Sequence, residues 1–309
     1  MSSPTASTRT IIIALVANFG IAVAKFIAAG ITGSSAMLTE GVHSVVDCTN
    51  QLLLLWGRRQ ASKPADEYHP FGYGRELYFW SFVVAVLVFA LGAGVSIYEG
   101  IIHIAEPEHA VAPTIAYGVL LVAFVLEGWS TREAFIEFKA AKGKLGWFEA
   151  IRNSKDPPAF IILLENGAAM AGIVTAAIGL MLAQITGDPF FDGAASVVIG
   201  IILGLTAFLL AYESKALLIG EAADPEIVRA LHEIVEGRDG VTAVGEVLTV
   251  HSAPDQITAM LSVDFVDSMT AREVEALVCS VEQEVEQRFP IVRRLYIRPR
   301  SPADQSPCD

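Results

Sequence analysis

Cysteine, charge and basic residues are all scarce in this chain, and each shortage excludes a class of protein. The three cysteines, Cys48, Cys279 and Cys308, are far apart, which excludes a disulfide framework and a CxxC zinc knuckle. Charged residues make up 18% of the 309 positions, below the roughly 25% of an average soluble domain. The 21 basic residues are outnumbered by 34 acidic ones, which argues against a general nucleic-acid binder.

Long apolar runs are what the chain has in abundance. Hydrophobic residues make up 53% of it and the mean hydropathy is +0.51. A bilayer core of ~30 Å requires about 20 apolar residues in a helix, and six stretches reach that length. The predicted transmembrane helices are Ile11–Ile31, Ala36–Trp56, Leu77–Ile104, Pro113–Phe135, Ala159–Ala183 and Phe190–Ala211.

Basic residues gather on alternate loops between these stretches, which predicts the orientation. The turn after the first stretch has no charge, and Glu106, Glu108, His109 and Asp188 are the ionisable residues of the other two loops on that side. We therefore expect both termini to be cytoplasmic in a multi-pass integral membrane protein, with a bacterial-type inner membrane as its location. The basic residues are Arg58, Arg59, Lys63 and Arg75 after the second stretch, and Lys139, Lys142, Lys144, Arg152 and Lys155 after the fourth.

The composition changes near Gly220, which predicts a boundary between domains 1–219 and 220–309. From residue 221 onward there are 17 acidic and 8 basic residues. A helix–strand–strand–helix–strand pattern follows, typical of a small α+β domain of the ferredoxin or metallochaperone type, which we place in the cytoplasm. Its predicted elements are a helix from Asp224 to Glu236, strands Val241–His251 and Gln256–Val266, a helix from Ser268 or Thr270 to Phe289, and strand Val292–Ile297.

Ionisable residues inside the apolar stretches are the candidates for chemistry. His43 and Asp47 stand four residues apart in the second stretch, on one helical face, with Asn50 a turn further on. Imidazole and carboxylate are half of a tetrahedral site for Zn²⁺ or a similar ion. The alternative is a His–Asp hydrogen bond that locks helices together. Ionisable groups in a membrane span usually line a pathway, which favours a functional site.

The fifth stretch offers the partner residue. Glu165 is its one acidic residue, beside Asn166, and the fifth and sixth stretches contain no Lys or Arg to pair with it. A buried carboxylate without a cation is expensive in lipid. Either Glu165 binds a cation, or it is protonated and hydrogen-bonded or lies at the membrane interface.

Three motifs together resemble the cation diffusion facilitator family of divalent-metal transporters. They are His43-Ser-Val-Val-Asp47, the loop Lys63-Pro-Ala-Asp66-Glu-Tyr-His69-Pro-Phe-Gly72-Tyr-Gly74-Arg75, and Asp192-Gly-Ala-Ala-Ser196. The resemblance covers nearly the whole chain. It implies a homodimer that moves Zn²⁺ or a related cation across the membrane in exchange for protons, with no resident cofactor.

The resemblance also implies ligands. The family pairs (H/D)xxxD in the second span with HxxxD in the fifth; His43 and Asp47 match the first pair, whereas Ile162 and Asn166 stand in the second. Glu165 is therefore carried over as the third ligand and Asn166 as a fourth. With fewer imidazoles and more oxygen ligands, the site would admit Mn²⁺, Fe²⁺, Co²⁺ or Cd²⁺ besides Zn²⁺.

Asp66 and His69 match residues that bind a second metal in some members of the family, but Tyr73 replaces a further histidine. We expect this site to be weak, and the alternative is a turn built around Gly72 and Gly74. In the α+β domain Ser262 stands where a regulatory histidine would be expected, so dimer packing is favoured there over metal binding. The remaining candidate ligands, which form no recognisable cluster, are His232, His251, Asp264 and Cys279.

The sequence thus predicts a proton-coupled antiporter that exports a divalent cation, foremost Zn²⁺, from the cytoplasm by alternating access. Two rival functions remain: a metal sensor or scaffold with the same fold that transports nothing, and a membrane metalloenzyme. The chain has no HExxH motif, nucleophile elbow or P-loop, which disfavours an enzyme.

Overall fold

The structure is a computed structural model that describes residues 8–107, 113–143 and 146–300. The chain divides into two compact units. One is helical and is formed by the chain up to Arg59 and by Leu77–Lys215; the other is formed by Gln60–Glu76 and by the chain from Ala216 onward. The segment Gln60–Glu76 therefore groups with the smaller unit. Glu108, His109, Lys144 and Cys308 lie outside the described residues.

The long helices of the helical unit coincide with the apolar stretches of the sequence. A π-helical segment, Val88–Ala93, joins α3 to α4, so that Glu76–Ala105 forms one continuous rod. The described helices are α1 (Thr8–Thr32), α2 (Ser35–Ala61), α3 (Glu76–Leu87), α4 (Gly94–Ala105), α5 (Pro113–Lys142), α6 (Trp147–Asn153), α7 (Pro157–Thr186) and α8 (Phe190–Ile219).

Four described helices are long and apolar enough to cross a membrane, so the protein is an integral membrane protein. They are Glu76–Ala105, Pro113–Ala140, Phe160–Thr186 and Phe190–Ile219. Helix α1 is 25 residues long, and α2 carries many polar side chains that face inward. The expectation of six spans therefore stays a prediction for α1 and α2.

Helices α4 and α8 cross at a point where only glycine fits. A Cβ added to Gly100 would lie 2.7 Å from the carbonyl oxygen of Gly193, and one added to Gly193 would lie 3.0 Å from the carbonyl oxygen of Gly100. Small residues allow backbones in lipid to approach this closely, which strengthens van der Waals packing.

Asp192, at the start of α8, fastens the start of α2. Its carboxylate accepts hydrogen bonds from the hydroxyl of Ser34 (2.7 Å) and the backbone N–H of Ser35 (2.6 Å). The hydroxyls of Ser35 and Ser196 lie 2.7 Å apart. The Asp192–Ser196 motif therefore satisfies a buried backbone N–H at the N-terminus of α2 and fixes the start of the helix that carries His43.

The smaller unit is an α+β domain in which two helices pack on a three-stranded sheet. The described strands are β1 (Val241–Ala253), β2 (Gln256–Phe265) and β3 (Val292–Pro299). They lie in the order β1-β2-β3, with β1 antiparallel and β3 parallel to β2. The helices are α9 (Pro225–Glu236) and α10 (Ala271–Arg288).

Helix starts in this unit follow local sequence signals. The carboxylate of Asp224 caps α9, and Thr270, not Ser268, caps α10 in a reciprocal arrangement with Glu273. The apolar stripe of α10, including Val281 and Val285, packs on the sheet. The positions of the elements confirm the sequence prediction, whereas a ferredoxin-like or metallochaperone-like identity stays a prediction.

Candidate metal centre

One face of α2 carries the predicted ligand pair. The side chain of His43 is 1% exposed and that of Asp47 14% exposed, and Nδ1 of His43 lies 3.5 Å from Oδ1 of Asp47. None of the described residues offers a hydrogen bond to either ring nitrogen of His43 or to Oδ1 of Asp47. Both residues belong to α2, so their contact does not lock two helices together. Buried polar atoms without partners are rare, and a missing ion is one explanation for them.

Glu165 of α7 faces the same region. Its side chain is buried, and its Oε1 accepts a hydrogen bond of 2.7 Å from Nδ2 of Asn50. The carboxylate also lies within electrostatic range of Asp47. The structure thus brings Glu165 to Asn50, one turn from Asp47 on α2, and the binding of a cation by His43, Asp47 and Glu165 stays a prediction.

A second contact between α2 and α7 lies two turns from Glu165 along α7. The carboxylate of Glu40 lies against Gly172, where a Cβ would collide with it. His43 and Asp47 stand between Glu40 and Asn50 on α2. By helical periodicity, the small buried residues Ala168 and Ala169 stand between Glu165 and Gly172 on α7. His43 and Asp47 on α2, and Ala168 and Ala169 on α7, therefore lie between these two contacts of the helices.

His43, Asp47 and Glu165 do not form a closed coordination sphere in this conformation. Across the described part of the chain, no three His, Cys, Asp or Glu side chains lie close enough together to hold one metal ion. Ligation of a single cation by these three residues therefore requires a different arrangement of their side chains.

Asn166 and Ile162 stand at the expected positions of the family motif on α7. Their surroundings differ from those of Glu165. The amide of Asn166 donates a hydrogen bond of 3.0 Å to the hydroxyl of Ser130 on α5. Ile162 is 39% exposed, whereas Ile161 is fully buried. The residues four apart on the buried face are therefore Ile161 and Glu165, one position earlier than the sequence comparison placed them.

Sequence reasoning missed three charged residues of this region: Lys25 on α1, Glu40 on α2 and Glu127 on α5. All three are buried. Lys25 lies within electrostatic range of Glu127 and Asp47, and it forms an ion pair with Glu40. Their signal in the sequence was the same as that of Glu165, a lone charge within or beside an apolar stretch.

Asp66, His69 and Tyr73 form a separate group in the smaller unit. Oδ1 of Asp66 accepts hydrogen bonds from the backbone N–H groups of Tyr68 (3.0 Å) and His69 (2.7 Å), and Oδ2 accepts one of 2.6 Å from the Tyr73 hydroxyl. The Tyr73 hydroxyl, followed by the backbone N–H of His69, lowers the pKa of Asp66. The same hydrogen bond raises the pKa of Tyr73.

This loop is therefore a hydrogen-bonded turn in which both carboxylate oxygens of Asp66 are occupied. Nδ1 of His69 lies 3.4 Å from Oδ1 of Asp66, so the two predicted ligands do come together. Gly72 has a φ of +81°, a conformation that favours glycine. The geometry fits the turn that the sequence offered as the alternative, and metal binding at Asp66 and His69 stays a prediction.

The other candidate ligands of the smaller unit are dispersed. His232 lies 3.4 Å from Glu236 on α9, and His251 is buried on β1 with Nδ1 3.4 Å from the carbonyl oxygen of Ala253. Neither belongs to a group of three ligating side chains among the residues described.

Comparison with known proteins finds similarity to transporters of metal cations. The sequence profile described as the cation efflux transmembrane domain matches residues 11–219. The proton-coupled zinc antiporter SLC30A9, mitochondrial, of Xenopus laevis is 33% identical over 244 residues, which is 78% of this chain and 44% of that protein. Metal tolerance protein C4 of Arabidopsis thaliana is 29% identical over 268 residues, covering 86% of this chain and 59% of that protein.

A bacterial relative is matched over more of its length. Cation-efflux pump FieF of Klebsiella pneumoniae is 25% identical over 260 residues, covering 84% of this chain and 81% of the pump. By contrast, the match to this chain spans less than half the length of the Xenopus protein.

Proposed function

The chain belongs to the cation efflux, or cation diffusion facilitator, family of transporters, and from that membership we propose that it is a proton-coupled antiporter exporting a divalent cation, foremost Zn²⁺. The observation that carries the proposal is the set of unpartnered polar atoms on His43 and Asp47, buried in an apolar helical unit and facing Glu165. One imidazole and two carboxylates suit Zn²⁺ and also admit Mn²⁺, Fe²⁺, Co²⁺ or Cd²⁺.

Transport in this proposal depends on α2 and α7 moving relative to each other. The cation loses water as His43, Asp47 and Glu165 close around it, and the site then opens to the opposite side. The six helices from α1 to α8, counting α3 and α4 as one and leaving out the short α6, are proposed to span the membrane with both termini in the cytoplasm.

Proton coupling follows from competition for the same ligand atoms. A histidine nitrogen binds a metal only when it carries no proton, and metal binding displaces protons from its ligands. Protons entering from the far side therefore favour release of the cation there. His43 is the residue of the site whose ordinary pKa lies nearest neutral pH.

The test is cation flux in proteoliposomes that carry a pH gradient. We expect Zn²⁺ uptake by the unaltered protein that collapses when the gradient is dissipated. Asp47→Asn keeps the shape of the side chain but removes the charged ligand, so uptake is expected to fall by roughly 10²-fold or more.

The matched control is Glu133→Gln, which neutralises an exposed carboxylate on α5. Its flux is expected to equal that of the unaltered protein. Zn²⁺ binding without flux would contradict the transport proposal and favour the sensor or scaffold. Unchanged flux in Asp47→Asn would remove Asp47 from the site.

We also propose that the protein works as a homodimer joined in part through its smaller unit. Leu248, Met260 and Tyr296 are paired side by side across the three strands, and each is between 41% and 48% exposed. A row of exposed apolar side chains across a sheet supports self-association.

A further inference from the structure

Lys25 is the least expected residue of the helical unit. It lies on α1 with no exposed side-chain surface, and its Nζ donates hydrogen bonds to Oε2 of Glu40 (2.9 Å) and to the hydroxyl of Ser44 (2.8 Å) on α2. An ammonium group is costly in an apolar interior, and a paired carboxylate offsets that cost. The ammonium group of Lys25 and the carboxylate of Glu40 therefore stabilise each other in the apolar interior.

The carboxylate that Lys25 holds lies one helical turn from the predicted ligand pair. Glu40 precedes His43 by three residues, so the two side chains share a face of α2. A Glu-x-x-His spacing supplies metal ligands in helical bundles with carboxylate-rich sites. Among the described residues no hydrogen-bond donor reaches Oε1 of Glu40, so half of this carboxylate is uncommitted, one turn from the ligand pair.

We propose that Lys25 determines the specificity of the cation site by sequestering Glu40, so that the cargo meets His43, Asp47 and Glu165 without a third carboxylate. This inference rests on the proposed transport function. The ammonium group takes the place that a metal ion would otherwise take at Glu40. It limits the carboxylates of the site to Asp47 and Glu165 beside the imidazole of His43, which favours Zn²⁺ over Mn²⁺.

Removing Lys25 should change which metal the site prefers. In Lys25→Met the Glu40 carboxylate loses its cation and becomes free to join His43 and Asp47. Carboxylate-rich sites suit Mn²⁺, whereas imidazole suits Zn²⁺. The added oxygen ligand is therefore expected to strengthen Mn²⁺ binding relative to Zn²⁺ binding.

The experiment measures the dissociation constants of Zn²⁺ and Mn²⁺ for the full-length protein in detergent, by calorimetric titration with each chloride salt. We expect Lys25→Met to shift the Mn²⁺-to-Zn²⁺ affinity ratio toward Mn²⁺ by roughly tenfold or more. The double variant Lys25→Met/Glu40→Gln removes the sequestered carboxylate as well and should return the ratio to that of the unaltered protein. Lys139→Met, an exposed lysine on α5, is the matched control.

An unchanged ratio in Lys25→Met, or the same shift in the double variant, would overturn the inference. If Lys25→Met does not fold, the Zn²⁺ affinity of the double variant still tests whether Glu40 is a ligand in the unaltered protein. A buried ion pair can be replaced by uncharged residues with little loss of stability, and Zn²⁺ affinity in the double variant should stay within about threefold of the unaltered protein. A loss of roughly tenfold or more would make Glu40 a ligand and refute sequestration.

The transport proposal can fail independently of this inference. It fails if the unaltered protein binds neither ion, or if Asp47→Asn binds Zn²⁺ as well as the unaltered protein does. If Asp47→Asn loses Zn²⁺ binding and Lys25→Met leaves the ratio unchanged, only the role of Lys25 is refuted.

Discussion

Two pairs of buried polar side chains in the helical unit join different helices. Asn50 donates to Glu165 across 115 positions of sequence, and Lys25 pairs with Glu40 across 15. The sequence predicts that each of these groups needs a partner, because an unpaired polar group in an apolar medium is costly. It does not state which helix supplies the partner, and this is why Lys25 and Glu40 were missed.

The phenol of Tyr73 controls the acidity of Asp66, which gives a pH prediction. In Tyr73→Phe the donor to Oδ2 is lost, so the pKa of Asp66 should rise toward the ordinary value of a carboxyl group. The measurement is NMR titration of the Asp66 carboxyl carbon in the full-length protein. An unchanged midpoint would mean that the backbone donors alone set the pKa.

The pKa shifts of Asp66 and Tyr73 determine how the stability of the turn depends on pH. Because folding lowers the pKa of Asp66, its contribution to stability is present above the ordinary carboxyl pKa and is lost as the pH falls through the lowered value. The raised pKa of Tyr73 acts at the other end: its contribution is present below the ordinary tyrosine pKa and is lost as the pH rises through the raised value. The turn is therefore most stable between these limits.

At the scale of whole elements, the sequence predicts where apolar helices lie better than where they end. The third predicted span, Leu77–Ile104, became Glu76–Ala105, whereas α5 continues past Phe135 to Lys142 and α8 past Ala211 to Ile219. Hydropathy falls at these ends, but residues such as Ala, Glu and Lys still favour a helix. The short helix α6 was not predicted, since its 7 residues carry no clear period.

The face that a helix buries is also decided by its neighbours. On α7 the predicted ligand position at Asn166 turned toward Ser130 of α5, and Glu165 took the buried position beside Asn50. A shift of one residue rotates a side chain by about 100°. The amides and carboxylates of neighbouring residues therefore contact different helices, and Asn166 as a fourth ligand stays a prediction.

The crossing of α4 and α8 gives a prediction at this scale. Gly100→Ala would place a methyl group against the α8 backbone, so we expect the helices to separate and the unfolding midpoint to fall, with a destabilisation of about 1–3 kcal/mol. Gly118→Ala on α5 is the control, because its Cβ would meet no atom within 4 Å. Thermal unfolding in the same detergent measures both, and equal midpoints would contradict the close crossing.

At the scale of the whole molecule, the exposed row on the sheet allows a test of the proposed homodimer. Met260→Asp places a charge in the middle of Leu248, Met260 and Tyr296, so the fraction of dimer should fall, by roughly tenfold or more in the association constant. Light scattering after size-exclusion chromatography measures it. Met260→Leu should preserve the dimer, and a dimer fraction unaffected by Met260→Asp would place the interface elsewhere.

The sequence by itself determined the membrane class and the order of the long helices and the strands, because these follow from apolar length and periodicity. The tertiary structure alone decided which polar and charged side chains contact one another. It paired Lys25 with Glu40, joined Asn50 to Glu165, and turned Asn166 toward Ser130. The physical reason is that charge pairing depends on distances of a few ångströms between helices, and these distances depend on how the helices pack.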